Sequence, residues 1–158
     1  MIYEFCAENV TLLEKAMQAG ARRIELCDNL AVGGTTPSYG VTKAAVELAA
    51  NYDTTIMTMI RPRGGDFVYT DLEIAIMLED IRLTTQAGSQ GVVFGALTAD
   101  KKLDKPNLEK LIAASKGMEI VFHMAFDELS DKDQLEAIDW LSQAGVTRIL
   151  TRAGVSGD

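Results

Sequence analysis

Short runs of β-branched and apolar residues alternate along the chain with longer runs in which apolar residues recur every three or four positions. The first pattern is typical of buried strands and the second of amphipathic helices. The predicted strands are Ile2–Cys6, Arg23–Cys27, Thr55–Ile60, Gly91–Gly95, Glu119–His123 and Arg148–Thr151. The predicted helices are about Asn9–Ala19, Val41–Asn51, Asp71–Ala87, Asn107–Ser115 and Asp131–Ala144. This alternation predicts an α/β protein with a parallel sheet.

A unit made of a helix end, an Ala-Gly turn and a strand recurs along the chain. Its copies are A-G-A-R-R-I-E-L, A-G-S-Q-G-V-V-F and A-G-V-T-R-I-L-T. Such repetition is typical of a (β/α) barrel or of a doubly wound sheet. None of the predicted strands is followed by the glycine-rich fingerprint of nucleotide-binding doubly wound proteins. This absence favours a TIM-type (β/α) barrel. A full barrel has about eight strands. About six parallel strands and five helices therefore predict an incomplete barrel in a single domain, residues 1–158.

The predicted barrel has an open side, because its first and sixth strands each lack one neighbour. Open strand edges expose backbone groups and also uncover the apolar side chains of Val146, Ile149 and Leu150. Surfaces of this kind are usually covered by another chain. We therefore expect a homodimer or a higher homo-oligomer that buries the open side.

Composition and charge narrow the class of partner. The chain is 47% hydrophobic and 24% charged, which is ordinary for a folded globular protein. The 23 acidic residues outnumber the 15 basic ones, and the net charge of −8 repels nucleic acids and anionic lipid surfaces. No apolar run approaches the roughly 18 residues of a membrane span, and no export signal is apparent. We expect a cytoplasmic protein with reduced cysteines that binds neither nucleic acid nor membranes.

A Glu-x-Cys triplet occurs on each of the first two predicted strands. Glu4 lies two positions before Cys6, and Glu25 lies two positions before Cys27, so each pair shares one strand face. The helix-facing side is expected to hold the hydrophobic residues Phe5, Ile24 and Leu26. Carboxylates and thiols then line the barrel interior. The cysteines are core residues, redox residues or metal ligands. An interior glutamate needs a partner such as Arg61, or it takes up a proton.

Two further features lie where strands end, which is where barrel active sites are built. His123, the only histidine, ends the fifth predicted strand. It is a structural residue, a soft-metal ligand beside the thiols, or an acid–base group. Arg61, Arg63, Gly64 and Gly65 follow the third strand in the loop R-P-R-G-G-D-F. Arginines bind carboxylates and phosphates, and glycines let backbone amides approach a ligand. The loop predicts an anion site, or else an Arg–Asp network that only fixes it.

One function compatible with these residues is that of a barrel enzyme acting on a small anionic substrate that carries phosphate or carboxylate. Arg61 and Arg63 would hold the anion, and the catalytic candidates His123 and Glu25 would transfer a proton. As a loop cation in a polar mouth, Arg61 is expected to contribute to ligand binding and little to stability. No particular reaction follows from these residues.

Several motifs occur in an order that is typical of a known family: E-L-C, G-G-T-T-P-S-Y-G, M-I-R-P-R-G-G-D-F-V-Y, G-V-V-F-G-A-L-T, F-H-M-A-F-D and R-I-L-T. From Ile2 to Thr151 the chain closely resembles the CutC family, whose members are named copper homeostasis proteins. The resemblance implies a TIM-type barrel, a cytoplasmic location and a role in copper tolerance through binding of copper(I). It makes Cys6, Cys27 and His123 the candidate metal ligands. The barrel enzyme, and a fragment without activity of its own, are the alternatives.

Overall fold

The structure is a computed structural model that describes residues 1–152 as a half-barrel of six parallel strands with helices between them. The strands are β1 (Glu4–Glu8), β2 (Arg23–Cys27), β3 (Thr55–Met59), β4 (Gly91–Phe94), β5 (Glu119–Phe122) and β6 (Arg148–Ile149). The helices are α1 (Leu13–Gln18), α2 (Tyr39–Ala50), α3 (Asp71–Ala87), α4 (Lys105–Ala114) and α5 (Asp131–Ala144). The sheet order β1-β2-β3-β4-β5-β6 confirms the predicted α/β class.

The helices that match their predicted bounds have strong signals at their ends. In α3 the Thr70 hydroxyl accepts a hydrogen bond from Glu73 N–H, and the Glu73 carboxylate accepts one from Thr70 N–H. Gly88 then ends α3 in the left-handed conformation that suits glycine. By contrast α1 begins later than predicted, because Asn9 and Leu12 have positive φ angles and the chain turns before the helix starts. None of the helices in residues 1–152 has the length and apolar character needed to cross a membrane.

Strand β1 begins two residues later than predicted, and its register with β2 fixes which side chains meet. Glu4 lies opposite Arg23 and forms an ion pair with it, and Cys6 lies opposite Glu25. The apolar residues before the strand, Ile2 and Tyr3, are exposed at the sheet edge. Their apolar character suggested a strand start, although the pairing with β2 begins only at Glu4.

The two faces of the sheet have different surroundings. On the outer face Ile24 and Leu26 pack in one buried cluster with residues of the first two helices, including Leu13 and Met17 of α1. The inner face carries a separate buried cluster that contains Cys27, Met57, Met59, Val93 and Val121. The helix-facing orientation predicted for Ile24 and Leu26 is therefore confirmed, and the interior position of Cys27 follows from it.

The open side of the half-barrel is partly covered. Among the described residues β1 and β6 each have one neighbouring strand. Val146, Ile149 and Leu150, which were expected to be exposed there, are half-buried because they pack against the core clusters. The expected exposure of these side chains is wrong, and self-association through the open side stays a prediction.

Candidate functional site

Two thiols and a carboxylate meet on the inner face of β1 and β2. Cys6 Sγ, Cys27 Sγ and a carboxylate oxygen of Glu25 all lie within 4.8 Å of one another. The parallel register produces this group, because Cys6 lies opposite Glu25 and Cys27 shares its strand face two residues further on. Glu25 and Cys27 are buried, whereas Cys6 is exposed on the edge strand of the described sheet. The cluster is thus reached from the side of β1.

The neighbouring groups change the acidity of the thiols and the carboxyl. A hydrogen bond from the Cys27 thiol lowers the pKa of Cys6, and the same bond together with burial raises the pKa of Cys27. Burial raises the pKa of Glu25, and the charge of Glu4 adds to this effect. Among residues 1–152 no ion pair joins Glu25 to Arg61, so the expected partnership is wrong. Desolvation instead shifts Glu25 toward its protonated form.

Two thioethers that were not among the candidate site residues lie in the buried inner-face cluster with Cys27. They belong to Met57, which lies opposite Glu25 in the register, and to Met59. A Cβ atom at Gly34 would lie 3.0 Å from Cys27 Sγ and 3.7 Å from Met59 Cε. The spacing Met57-Thr58-Met59 was the available signal, since residues two apart share a strand face. The surroundings of the thiols are therefore soft and largely apolar.

A cavity of about 380 Å³ opens at the carboxyl ends of the strands. The side chains around it include Glu25, Val32, Met59, Arg61, Phe67, His123, Met124, Asp127, Glu128, Leu150 and Arg152. Because Glu25 belongs both to this cavity and to the thiol cluster, the two are adjacent. His123 lines the cavity but is not one of the groups that meet within 4.8 Å at the thiols. The structure therefore brings Cys6 and Cys27 together and leaves His123 on the cavity wall.

Arg61 ties the two glycine-rich loops together. Its Nη1 donates to the carbonyl oxygens of Val32 at 2.6 Å and Gly34 at 3.0 Å, and its Nη2 donates to that of Gly65 at 2.9 Å. The Arg61 backbone N–H also donates to Thr36 Oγ1 at 2.8 Å. Arg61 is only 5% exposed. Arg61 lines the cavity at the strand ends as expected, but it is buried, and backbone carbonyls replace water around its guanidinium group.

The other residues of the predicted anion loop have partners within the protein. Arg63 Nε lies 2.5 Å from Glu73 and its Nη2 lies 3.1 Å from Asp66. Gly64 packs against Val32, where a Cβ atom would come within 2.9 Å. The Arg–Asp network considered as the alternative to an anion site is therefore present. An anion-binding role for Arg63 and Gly64 stays a prediction, and Gly65 is the loop glycine that lines the cavity.

The His123 imidazole has a fixed tautomer and a neutral charge. Its Nδ1 accepts a hydrogen bond from Ala125 N–H at 3.1 Å, so the ring proton is on Nε2. Burial lowers the pKa of His123 to about 3, and the charge of Arg61 contributes to the same shift. The ring lies 4.9 Å from that of Phe67, measured between centroids. A Cβ at Gly95 would lie 2.6 Å from His123 Cε1, so glycine makes room for the imidazole.

The sequence model of the CutC family matches residues 1–157. The chain belongs to the CutC family. The CutC family protein of Enterococcus faecalis is 54% identical over 157 residues, which cover 99% of this chain and 75% of that protein. The corresponding protein of Streptococcus pyogenes is 52% identical over 151 residues, which cover 96% of this chain and 72% of that protein.

A solved structure supports the same conclusion for the fold. The crystal structure of CutC from Streptococcus agalactiae, described as a candidate copper homeostasis protein, is similar with a TM-score of 0.95 and 47% identity. The similarity covers 100% of this CutC chain and 75% of that protein. The family resemblance and the TIM-type fold inferred from the motifs are therefore confirmed.

Acidification is expected to destabilise this CutC chain through His123. Unfolding exposes the imidazole, which takes up a proton near its ordinary pKa of about 6.5. The buried imidazole resists protonation until about pH 3. Between these values the unfolded state binds more protons, so the free energy of unfolding falls as the pH falls.

A comparison of the wild type with His123→Asn isolates this effect. Asparagine can still accept from Ala125 N–H but does not titrate. Urea unfolding at pH 7 and at pH 5 should show a larger loss of stability in the wild type than in the variant. Glu25, whose pKa is raised, contributes with the opposite sign in both proteins. Equal losses in the two proteins would contradict the assignment.

Proposed function

We propose that this CutC-family chain binds copper(I) through Cys6, Cys27 and Glu25 and contributes to copper tolerance in the cytoplasm. The proposal rests on one observation, the meeting of two thiol sulfurs and a carboxylate oxygen within 4.8 Å of one another. Thiolates are soft ligands that favour Cu(I) over harder cations, and the nearby thioethers of Met57 and Met59 are soft as well. The description of the Streptococcus agalactiae relative supports the copper role.

The acidity of the thiols suits the capture of a cation from solution. Cys6, whose pKa is lowered, is the exposed member of the pair, so an arriving ion reaches the thiol that ionises more easily. The Cys27 thiol keeps its proton in the metal-free protein, and a bound cation would displace that proton. Binding therefore releases protons, and affinity for copper(I) is expected to fall as the pH falls.

Replacement of either cysteine by serine is expected to lower the affinity for copper(I) at least about 100-fold. Replacing a residue that only hydrogen-bonds to a metal ligand lowers metal affinity about 10–100-fold, and loss of the ligand itself should cost more. Competition with a chromophoric copper(I) chelator, under anaerobic and reducing conditions and with untagged protein, measures the change. Glu25→Gln should also weaken binding. Glu14→Gln is the matched control, since Glu14 is an exposed residue of helix α1 and is outside the cluster.

Unchanged affinity in both serine variants would contradict the proposed site. His123→Asn tests the wider ligand set of Cys6, Cys27 and His123. The proposal expects this variant to bind copper(I) as the wild type does. A loss as large as that in Cys27→Ser would place the imidazole in the copper site and would overturn the assignment of Glu25.

A further inference from the structure

We infer that the cavity at the carboxyl ends of the strands binds a small organic monocarboxylate, whose oxygens accept hydrogen bonds from Arg61 and His123. This site is adjacent to the thiol cluster and binds its ligand independently of copper. Unpartnered donors, an unbalanced buried charge and the apolar cavity wall support it.

Two buried nitrogen atoms of cavity-lining side chains have no hydrogen-bond partner in the described part of the chain, Arg61 Nε and His123 Nε2. Their residues are 5% and 4% exposed, so bulk water does not solvate them freely. Both atoms carry a proton, because arginine Nε always does and because His123 Nδ1 is the acceptor for Ala125 N–H. Buried donors without partners are unfavourable. A ligand that supplies acceptor oxygens would satisfy them.

Arg61 is also a buried cation, and it has no counterion in the part of the chain that the structure describes. Its Nη groups donate only to the neutral carbonyl groups of Val32, Gly34 and Gly65. Within residues 1–152 no carboxylate forms an ion pair with it. An uncompensated charge in a buried position is costly, and a bound anion offsets that cost. An anion with acceptor oxygens would therefore both satisfy the unpartnered donors and balance the charge of Arg61.

The acidic residues at the cavity favour one negative charge over two. Glu25, Asp127 and Glu128 line the cavity, and Arg152 is the cation next to Asp127. Burial raises the pKa of Glu25 and so opposes a negative charge on it. Asp127 already accepts hydrogen bonds from the Thr151 hydroxyl and from Arg152 N–H. A phosphate dianion would meet more repulsion here than a carboxylate does. A monocarboxylate supplies acceptor oxygens and a single charge.

The remaining cavity wall is apolar, so the part of the ligand outside its carboxylate group is expected to be apolar as well. Val32, Met59, Phe67, Met124 and Leu150 line the cavity, and its volume of about 380 Å³ far exceeds the needs of a carboxylate group alone. The Phe67 ring contacts both donors, with its centroid 5.1 Å from Arg61 Cζ and 4.9 Å from the imidazole centroid. An aromatic or branched aliphatic carboxylic acid fits these surroundings.

Benzoate, benzamide and phenyl phosphate are matched probes, because they share one ring and differ in charge. Titration of copper-free, reduced protein at pH 7.5, followed by ¹H–¹⁵N NMR, measures their dissociation constants. Benzoate is expected to bind at least about ten-fold more tightly than benzamide or phenyl phosphate. A charge-assisted hydrogen bond accounts for a difference of this size. The inference would be overturned if benzoate did not bind at a concentration of about 10 mM, which is high enough to detect even weak binding. Equal binding of benzamide, or tighter binding of phenyl phosphate, would also overturn it.

Variants test the two donors separately. His123→Asn keeps an acceptor for Ala125 N–H but removes the Nε2 donor, and Arg61→Lys keeps the charge but removes the Nε donor. Each should weaken benzoate binding about ten-fold. Arg148→Lys is the control, because Arg148 Nη2 is also buried without a partner among residues 1–152, but Arg148 pairs with Glu119 and does not line the cavity. Its benzoate affinity should equal that of the wild type. If Arg61→Lys does not fold, His123→Asn decides: an unchanged affinity, or an equal loss in Arg148→Lys, overturns the inference.

Discussion

Replacement of Arg61 by alanine is expected to lower the free energy of unfolding by about 2–4 kcal/mol, since it leaves the buried Gly34 carbonyl without a donor and removes a side chain that is only 5% exposed. The guanidinium group donates to the backbone carbonyls of Val32, Gly34 and Gly65, and the substitution removes all of these bonds. It also separates the two loops that the side chain joins. Urea unfolding followed by circular dichroism measures the change.

Arg63→Ala is the matched control, because it removes the same side chain from the same loop. The Arg63 side chain is 38% exposed, and its ion pairs with Asp66 and Glu73 lie near the surface. We expect a cost below about 1 kcal/mol for this variant. Equal costs for the two arginines would show that the burial of Arg61 adds nothing to stability, which would contradict the prediction.

Gly91→Ala is expected to lower the free energy of unfolding by about 1–3 kcal/mol, the usual effect of overpacking. A Cβ at this position would collide with Met57 Sδ and would lie 2.8 Å from the backbone oxygen of Glu119. The methionine can move, but the backbone of β5 is held by its pairing with β4. Thermal and urea unfolding measure the loss.

Gly40→Ala makes the same chemical change in an open place. Gly40 lies in the first turn of α2, and the nearest atom to an added Cβ would be Ser38 Oγ at 3.9 Å. This variant should be neutral or more stable by up to about 1 kcal/mol, because alanine favours helices over glycine. A similar loss at both glycines would mean that the contact with β5 is not the cause.

The sequence predicts the order of strands and helices because local chemistry determines it. Helix α3 has a capping box at its start and a left-handed glycine at its end, so both bounds are visible in the residues. The start of β1 is less visible. Ile2 and Tyr3 are apolar but exposed, and only the pairing of Glu4 with Arg23 shows where the strand begins. The start of an edge strand such as β1 therefore cannot be predicted from the pattern of apolar residues alone.

The candidate site was predictable where it depends on side-chain alternation and unpredictable where it depends on register and backbone. The two-residue spacing places Glu25 and Cys27 on one face, but the meeting with Cys6 requires the register of β1 against β2. Arg61 was expected to pair with Glu25. Its partners are instead backbone carbonyls, which every residue possesses and which leave no mark in the sequence. For that reason its burial could not be anticipated.

The sequential order of the strands has a consequence for how the chain acquires its shape. Paired strands place partner residues 19 to 34 positions apart, so every pairing closes a short stretch of chain. Short closures cost less entropy than long ones. Each emerging strand finds its partner already synthesised, so the sheet can grow from the N-terminus during translation. Cys6, Glu25 and Cys27 lie on the first two strands, so all three residues of the cluster are synthesised before the later strands leave the ribosome.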